Sequence, residues 1–299
     1  MFDLRYHVAS LAAVFLALII GILVGVGISS GGFVSKSERS LLNARIADLQ
    51  QQLNAARQTE RQLSQAQRAA QTFVADSYPA LMAGRLRGRR VALVFVGPIN
   101  GLVRSLVERT LSDAGAPSPL RIRALKVPID LKAVDAVLAG RPALAGYAGD
   151  ARAGDLGALL GRELAGGGET PLWNALSAQL VEERFGSEKR PADAVVVVRS
   201  AQPQSGATAR LLAGFYAGLG TTQSPAVGAE TTGTAQSAVV AFAKNRLSTV
   251  DDLDTPAGRL ALALLLAGAK PGQYGVKATA KDGLLPPVEP VPRPTSTGG

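Results

Sequence analysis

The sequence predicts an α/β protein in which an N-terminal transmembrane helix and a coiled-coil stalk precede a three-layer α/β head with a mostly parallel sheet. Three patterns predict it: an unbroken apolar run over residues 8–28, a heptad pattern without Pro or Gly over 35–74, and strand-like apolar runs alternating with helical spacing from Val91 onward. The 299 residues are 47% hydrophobic and 18% charged, enough for a sizeable buried core. The expected divisions are a short tail at 1–7, an anchor at 8–28, a stalk at 35–78, a basic linker at 79–90, the head at 91–283 and a Pro-rich disordered tail at 284–299.

The segment from Val8 to Ile28 carries no charge, and as a helix rising ~1.5 Å per residue it covers about 31 Å, the depth of a bilayer core. It is longer than the apolar region of a signal peptide and runs into Ser29-Ser30-Gly31-Gly32, so an uncleaved signal anchor is expected. Arg5 lies before it and Lys36, Arg39 and Arg45 after it. This balance slightly opposes export of the C-terminal part, although long domains cross largely regardless of flanking charge. The expected location is the plasma membrane, single-pass, with the head outside the cytoplasm. Small residues recur at every fourth position, Ala9, Ala13, Ala17, Gly21, Gly25 and Ser29, a ridge that lets two helices approach closely in lipid. Membrane helices are also rich in Ala and Gly for other reasons.

The stalk places Leu42, Ile46, Leu49, Leu53, Ala56, Leu63, Ala70 and Val74 at alternating steps of four and three, a coiled-coil seam interrupted by polar Glu60 and Gln67. A parallel homodimer through ridge and seam is expected; the alternative is a lone amphipathic helix folded onto the head. Next comes Arg85-Leu86-Arg87-Gly88-Arg89-Arg90, which reads either as a solvated hinge or as a patch for an anionic partner formed by Arg85, Arg87, Arg89 and Arg90. The net charge of +9 is concentrated here: residues 36–90 hold ten basic and four acidic side chains. From Val91 onward the chain is nearly balanced, which argues against a nucleic-acid partner.

In the head, Arg90–Gly97 reads as a strand followed by a helix from Leu102 to Ala114, and Leu120–Leu125 alternates as an edge-like strand would. Residues 140–170 are Gly-rich and read as irregular. Ala194–Arg199 is the clearest buried strand, followed by a helix at 207–219, a short strand at 226–229 and helical spacing over 234–244. Thr255-Pro256 opens a last helix that ends at Gly268.

Chemistry is sparse. With no Cys and one His, thiolate sites and multi-histidine metal sites within one chain are excluded, and His7 stands apart from the head, so no serine there has a histidine base. Gly97-Pro98-Ile99-Asn100-Gly101 stands where a phosphate loop would lie but fits no phosphate-loop pattern. Asp251, Asp252 and Asp254 lack calcium-loop spacing and read first as helix-capping acids. No catalytic constellation, no cofactor and no metal site is expected, and no enzymatic activity.

The opening Leu4-Arg5-Tyr6-His7-Val8-Ala9-Ser10-Leu11 and its continuation to Leu18 resemble the MctB family of actinobacterial envelope proteins, named for mycobacterial copper transport. The likeness continues through the stalk. Ser248–Thr255, with Thr249, Val250, Asp251 and Asp254, and Gly272–Gly275, with Tyr274 and Gly275, are similar to the family's C-terminal motifs, so the resemblance covers nearly the whole chain. Gln273 stands where relatives often carry His, a departure that weakens any metal role there. The resemblance implies copper homeostasis or efflux, with the outer membrane as an alternative location. A SteB-like branch of the family implies instead a membrane-anchored regulator of septal peptidoglycan hydrolysis acting through envelope or cell-division proteins. A copper ion as partner rests on this resemblance alone. Copper prefers sulfur and imidazole, and the sequence offers only Met1, Met82 and His7. The repeated ten-residue alternation of a transmembrane β-barrel is absent.

Overall fold

The computed structural model describes residues 4–30, 36–186 and 189–290, and the chain divides into two compact units, Met1–Ala70 and Gln71–Gly299. The first unit contains α1 (Leu4–Ser30) and most of α2 (Lys36–Met82). Among the described residues no helix is long and apolar enough to cross a membrane. The side chains of α1 are described over residues 10–26 only, short of the ~20 residues a bilayer core takes. The expected anchor at 8–28 is therefore helical but not shown as a membrane span. The helix of the stalk is present, and its pairing with a second chain is not shown.

The second unit is a mixed α/β fold on a mostly parallel seven-stranded sheet. Its elements are β1 (Val91–Val96), α3 (Gly101–Asp113), β2 (Arg121–Leu125), α4 (Leu131–Ala139), α5 (Ala153–Gly166), α6 (Pro171–Leu180), β3 (Val181–Gly186), β4 (Ala194–Arg199), α7 (Gly206–Gly220), β5 (Ala226–Ala229), α8 (Val239–Lys244), β6 (Ser248–Val250), α9 (Pro256–Ala267) and β7 (Gln273–Tyr274). The strand order is β3-β2-β1-β4-β5-β6-β7, with only β3 antiparallel. The chain thus leaves β1 in one direction and returns for β4 on its other side, so the β1/β4 boundary is where a doubly wound sheet reverses.

Alternation divides the strands between two cores. Ala92, Val94, Val96, Val195 and Val197 face the helices α4 to α8, packed around Trp173, Phe215 and Phe242. Leu93, Phe95, Val196 and Val198 face α3, α9 and the end of α2, which contributes Tyr78 and Met82. Because both faces are covered, β1 is apolar throughout and β4 is apolar up to Arg199, as the sequence suggested.

Several elements differ from the sequence reading. α2 does not stop before Pro79 but runs to Met82, and both Met82 and Leu86 are fully buried. Part of the supposed linker at 79–90 is thus core. The Tyr78 hydroxyl donates to Asp113 Oδ2 at 2.9 Å, and the Arg259 guanidinium lies 5.3 Å from its ring centre. Burial and the nearby Asp113 push the Tyr78 phenol up to about 12, despite opposition from Arg259.

β2 is not an edge strand; β3 covers it. Arg121 and Arg123 are buried, donating to the carbonyls of Leu164, Arg190, Ile122 and Phe185. Residues 140–170 are irregular only in part, since α5 occupies 153–166. Its glycines serve a close helix crossing: a Cβ at Gly157 would lie 2.0 Å from Leu211 O, and one at Gly218 of α7 2.1 Å from Ala158 O. Finally, residues 234–238 are not helical, and only Val239–Lys244 is.

Candidate functional site

Three places in the head could carry function: the sheet reversal, the acidic motif at the ends of β5 to β7, and the arginine-rich turn. The first is filled by the protein itself. Ser200 and Ala201 amides donate to Val96 O at 3.1 and 3.0 Å, drawing the loop after β4 onto the loop after β1. Gly97, at φ 109°, allows this approach, because a Cβ there would lie 2.7 Å from Ala201 Cβ. Asn100 caps α3 with its own side chain, accepting from the Val103 amide at 3.1 Å.

The acidic motif is a clasp. Thr249 and Val250 lie in β6 and are buried, and Tyr274 lies in β7 beside them. Beyond the strand end, Asp251 Oδ1 accepts from the Val276 and Lys277 amides at 2.8 and 3.2 Å, and its Oδ2 from the Thr279 hydroxyl. Gly275, at φ 137°, must be glycine, since a Cβ there would lie 2.0 Å from Asp251 Oδ1. Asp254 accepts from both the amide and the hydroxyl of Thr232. Burial pushes its carboxyl up, but the Thr232 donors outweigh burial and leave it below the usual carboxylate range. Lys277 Nζ reaches Glu230 Oε1 at 2.6 Å and Thr231 O at 2.9 Å, while Glu230 Oε2 accepts from the Ala238 amide. Thus β5 and β6 each end in a carboxylate that fastens a loop, and Lys277 bridges the two loops.

The expectation that these acids cap α9 is corrected in part. Thr255 is the cap, accepting from the Gly258 amide at 2.9 Å. Asp252 instead is fully buried, accepts from the Thr255 hydroxyl and keeps an Oδ1 without a hydrogen bond. Burial, with Asp251 and Asp254 nearby, pushes its carboxyl up. The remaining carboxylates are occupied by amides, hydroxyls and Lys277. Among the described residues no group of His, Cys, Asp or Glu is arranged to hold a metal ion.

The arginine-rich turn separates into two roles. Arg90 pairs bidentately with Asp193, Nε to Oδ2 at 3.0 Å and Nη2 to Oδ1 at 2.8 Å, and its amide donates to Oδ2. Arg90 holds the Asp193 carboxyl down at about 2. It is thus engaged at the start of β4. Arg85, Arg87 and Arg89 instead line a cavity of about 680 Å³ with Lys270 and Glu289.

The family model described as copper transport outer membrane protein, MctB, matches residues 1–285. The chain belongs to the MctB family. No curated protein matches it. The match runs through both the N-terminal helices and the clasp, so the motifs at 248–255 and 272–275 lie within an MctB domain that extends to within a few residues of the arginine cavity's tail wall.

Against this MctB assignment, the side-chain donors are informative. Met82 lies at 0% exposure inside the apolar core between the end of α2, α3 and α9. Met1 and His7 fall outside the residues whose side chains are described. On α1, Ala13, Ala17, Gly21 and Gly25 share one face, and a Cβ at Gly21 or Gly25 would meet nothing within 4 Å; Ala9 of that ridge lies outside the described side chains. On α2, Leu42, Ile46, Leu49, Leu53 and Leu63 are 49–68% exposed, and Ala56 is exposed with them.

The sequence did not point to Glu230, Thr232, Lys277, Asp193, Lys270 or Glu289. Each owes its place to strands or loops remote in sequence, and only Glu230, directly after the short strand 226–229, had a local hint.

Proposed function

We propose that this MctB-family chain is a membrane-anchored, homodimeric scaffold of the cell envelope. It contributes to copper homeostasis through protein partners rather than by ligating copper itself. The single observation that carries the reading is the apolar seam of α2. Five large side chains at heptad spacing stand 49–68% exposed on a 47-residue helix, an arrangement that a second copy would bury. The small-residue face of α1 continues the same logic into lipid. The anchor rests on the apolar sequence of 8–28, and in this reading the head lies outside the cytoplasmic membrane.

Direct ligation is poorly supported by the donors. A soft copper site takes two to four sulfur or imidazole ligands, and the sulfur of the head, on Met82, is enclosed by hydrocarbon. The clasp carboxylates are hard ligands already hydrogen-bonded within the fold, and we read the protein as non-enzymatic on the same ground. The family description supports a copper-related role, and an indirect one reconciles it with these side chains. Regulation of peptidoglycan hydrolysis by the same scaffold would be an equivalent use of the architecture.

Calorimetric titration of the purified full-length protein with copper(I) under reducing conditions tests this. The expected result is no saturable binding, with Met82→Leu indistinguishable from the parent. Stoichiometric binding at micromolar affinity or better that is lost in Met82→Leu would overturn it, because Leu preserves the packing volume and removes only the sulfur.

A further inference from the structure

Gly84 and Gly88, at φ 73° and 75°, fold residues 83–89 into two tight turns that carry Arg85, Arg87 and Arg89 to one cavity. The opposite wall is the C-terminal end of α9 and Lys270. The third is the chain's own tail at 287–290, fixed there by Arg85 Nη1 donating to Glu289 O at 2.9 Å. Arg85 Nε also donates to Leu81 O, and Arg89 Nη2 to Ala267 O at 3.3 Å. The Arg87 side chain makes no hydrogen bond or ion pair among the described residues, its amide alone donating to Gly84 O at 3.3 Å. None of the four cations is paired with a carboxylate there, in contrast to Arg90.

Four cations and one carboxylate leave an excess of three positive charges in a concave, partly desolvated site; burial already lowers the Arg85 guanidinium from its ordinary value. The carbonyl end of α9 adds negative potential, and Arg89 offsets part of it through Ala267 O. A single carboxylate would leave most of that charge uncompensated. A diphosphate would not, and its oxygens match the forked donors of guanidinium groups. The cavity is also larger than an inorganic diphosphate requires, and Leu264, Ala267 and Pro287 give it an apolar floor beside the charge.

We infer that this cavity binds a diphosphate-bearing ligand, with the Glu289 carboxylate as the one negative charge on its wall that a bound diphosphate must work against. The ligand is either a free diphosphate or the headgroup of a lipid diphosphate whose chain lies on the apolar floor. Because that carboxylate repels an anionic ligand, removing its charge should tighten binding, while removing guanidinium groups should weaken it.

The test uses the full-length protein in detergent, titrated with inorganic diphosphate, and separately mixed with phosphatidylcholine vesicles with and without a polyprenyl diphosphate. One site per chain is expected for at least one of the two probes. Arg87→Ser with Arg89→Ser should weaken binding by more than about tenfold, as loss of charge-assisted bonds requires. Glu289→Gln should strengthen it by about threefold. Binding to the doped vesicles alone identifies the lipid form, and binding of inorganic diphosphate the free form; either result supports the site. Arg61→Ser, which removes a cation of α2 that does not line the cavity, should change nothing. The thermal transition of each variant confirms folding, and Arg87→Ser alone is the fallback, since that side chain holds no other group. Absence of binding to both probes would overturn the inference. So would binding that Arg61→Ser weakens as much as the cavity variants do.

Discussion

Replacing Gly157 by Ala adds one methyl group to α5 at its crossing with α7. The added Cβ would lie 2.0 Å from Leu211 O, 2.8 Å from Phe215 N and 3.0 Å from Leu211 C, all backbone atoms that no rotamer change can move. Ordinary contact begins near 3.4 Å, so the helices must separate locally by about 1.4 Å. A gap of that size forfeits a large part of the dispersion energy along the crossing. It also disturbs Leu160, Leu164 and Phe215, which pack there at 1–2% exposure. Overpacking costs about 1–3 kcal/mol, while the better helix propensity of Ala returns about 1 kcal/mol. A net loss of up to about 2 kcal/mol should lower the midpoint of thermal unfolding by up to roughly 8 °C for a unit of this size. Gly166 closes the same helix with nothing within 4 Å of its Cβ position, so Gly166→Ala should be neutral or raise the midpoint. Calorimetric melting of both variants decides the matter. Equal effects, or a more stable Gly157→Ala, would refute the reading of these glycines as a packing device.

Further outcomes follow from the clasp and the anchor. Asp251→Ala should cost about 1–3 kcal/mol, because the Val276 and Lys277 amides and the Thr279 hydroxyl lose their acceptor, and should speed hydrogen exchange at 276 and 277. Unchanged exchange there would contradict the clasp. Asp252 behaves oppositely: its carboxyl titrates above the ordinary range in the fold, so its favourable contribution is full below the unfolded value of about 4 and is lost as pH rises through the folded value. Asp252→Asn should therefore gain stability relative to the parent between acidic and neutral pH, measured by denaturant midpoints; a constant difference across that range would contradict it. For topology, a reporter active only outside the cytoplasm and fused after Gly299 should give signal. Activity of a cytoplasmic reporter at that point, with silence of the first, would reverse the orientation.

The elements legible in the sequence were those whose pattern is local. β1 and β4 are continuous apolar runs because both their faces are covered, and α9 announces itself with Thr255, Pro256 and Gly268. What escaped was set by distant partners. Arg121 and Arg123 look like solvent-facing residues of an edge strand until β3 and the carbonyls around them are in place. The glycines of 140–170 read as irregular because glycine is a poor helix former, and only the α7 backbone explains why α5 needs them. At the candidate sites, Asp251 and Asp254 stood out as a motif, yet their partners Thr232 and Lys277 lie more than twenty residues away. The arginine run was visible as charge, but its division into a structural Arg90 and three cavity arginines depends on Asp193 and the turn of Gly88.

The most direct test of an account in which function rests on assembly is the mass in solution of residues 35–299, by sedimentation equilibrium at micromolar concentration. The protein should sediment as a dimer, and Leu49→Asp with Leu53→Asp should reduce it to a monomer by placing unpaired charge in the seam. A monomeric parent, or a dimer indifferent to both substitutions, would contradict the account.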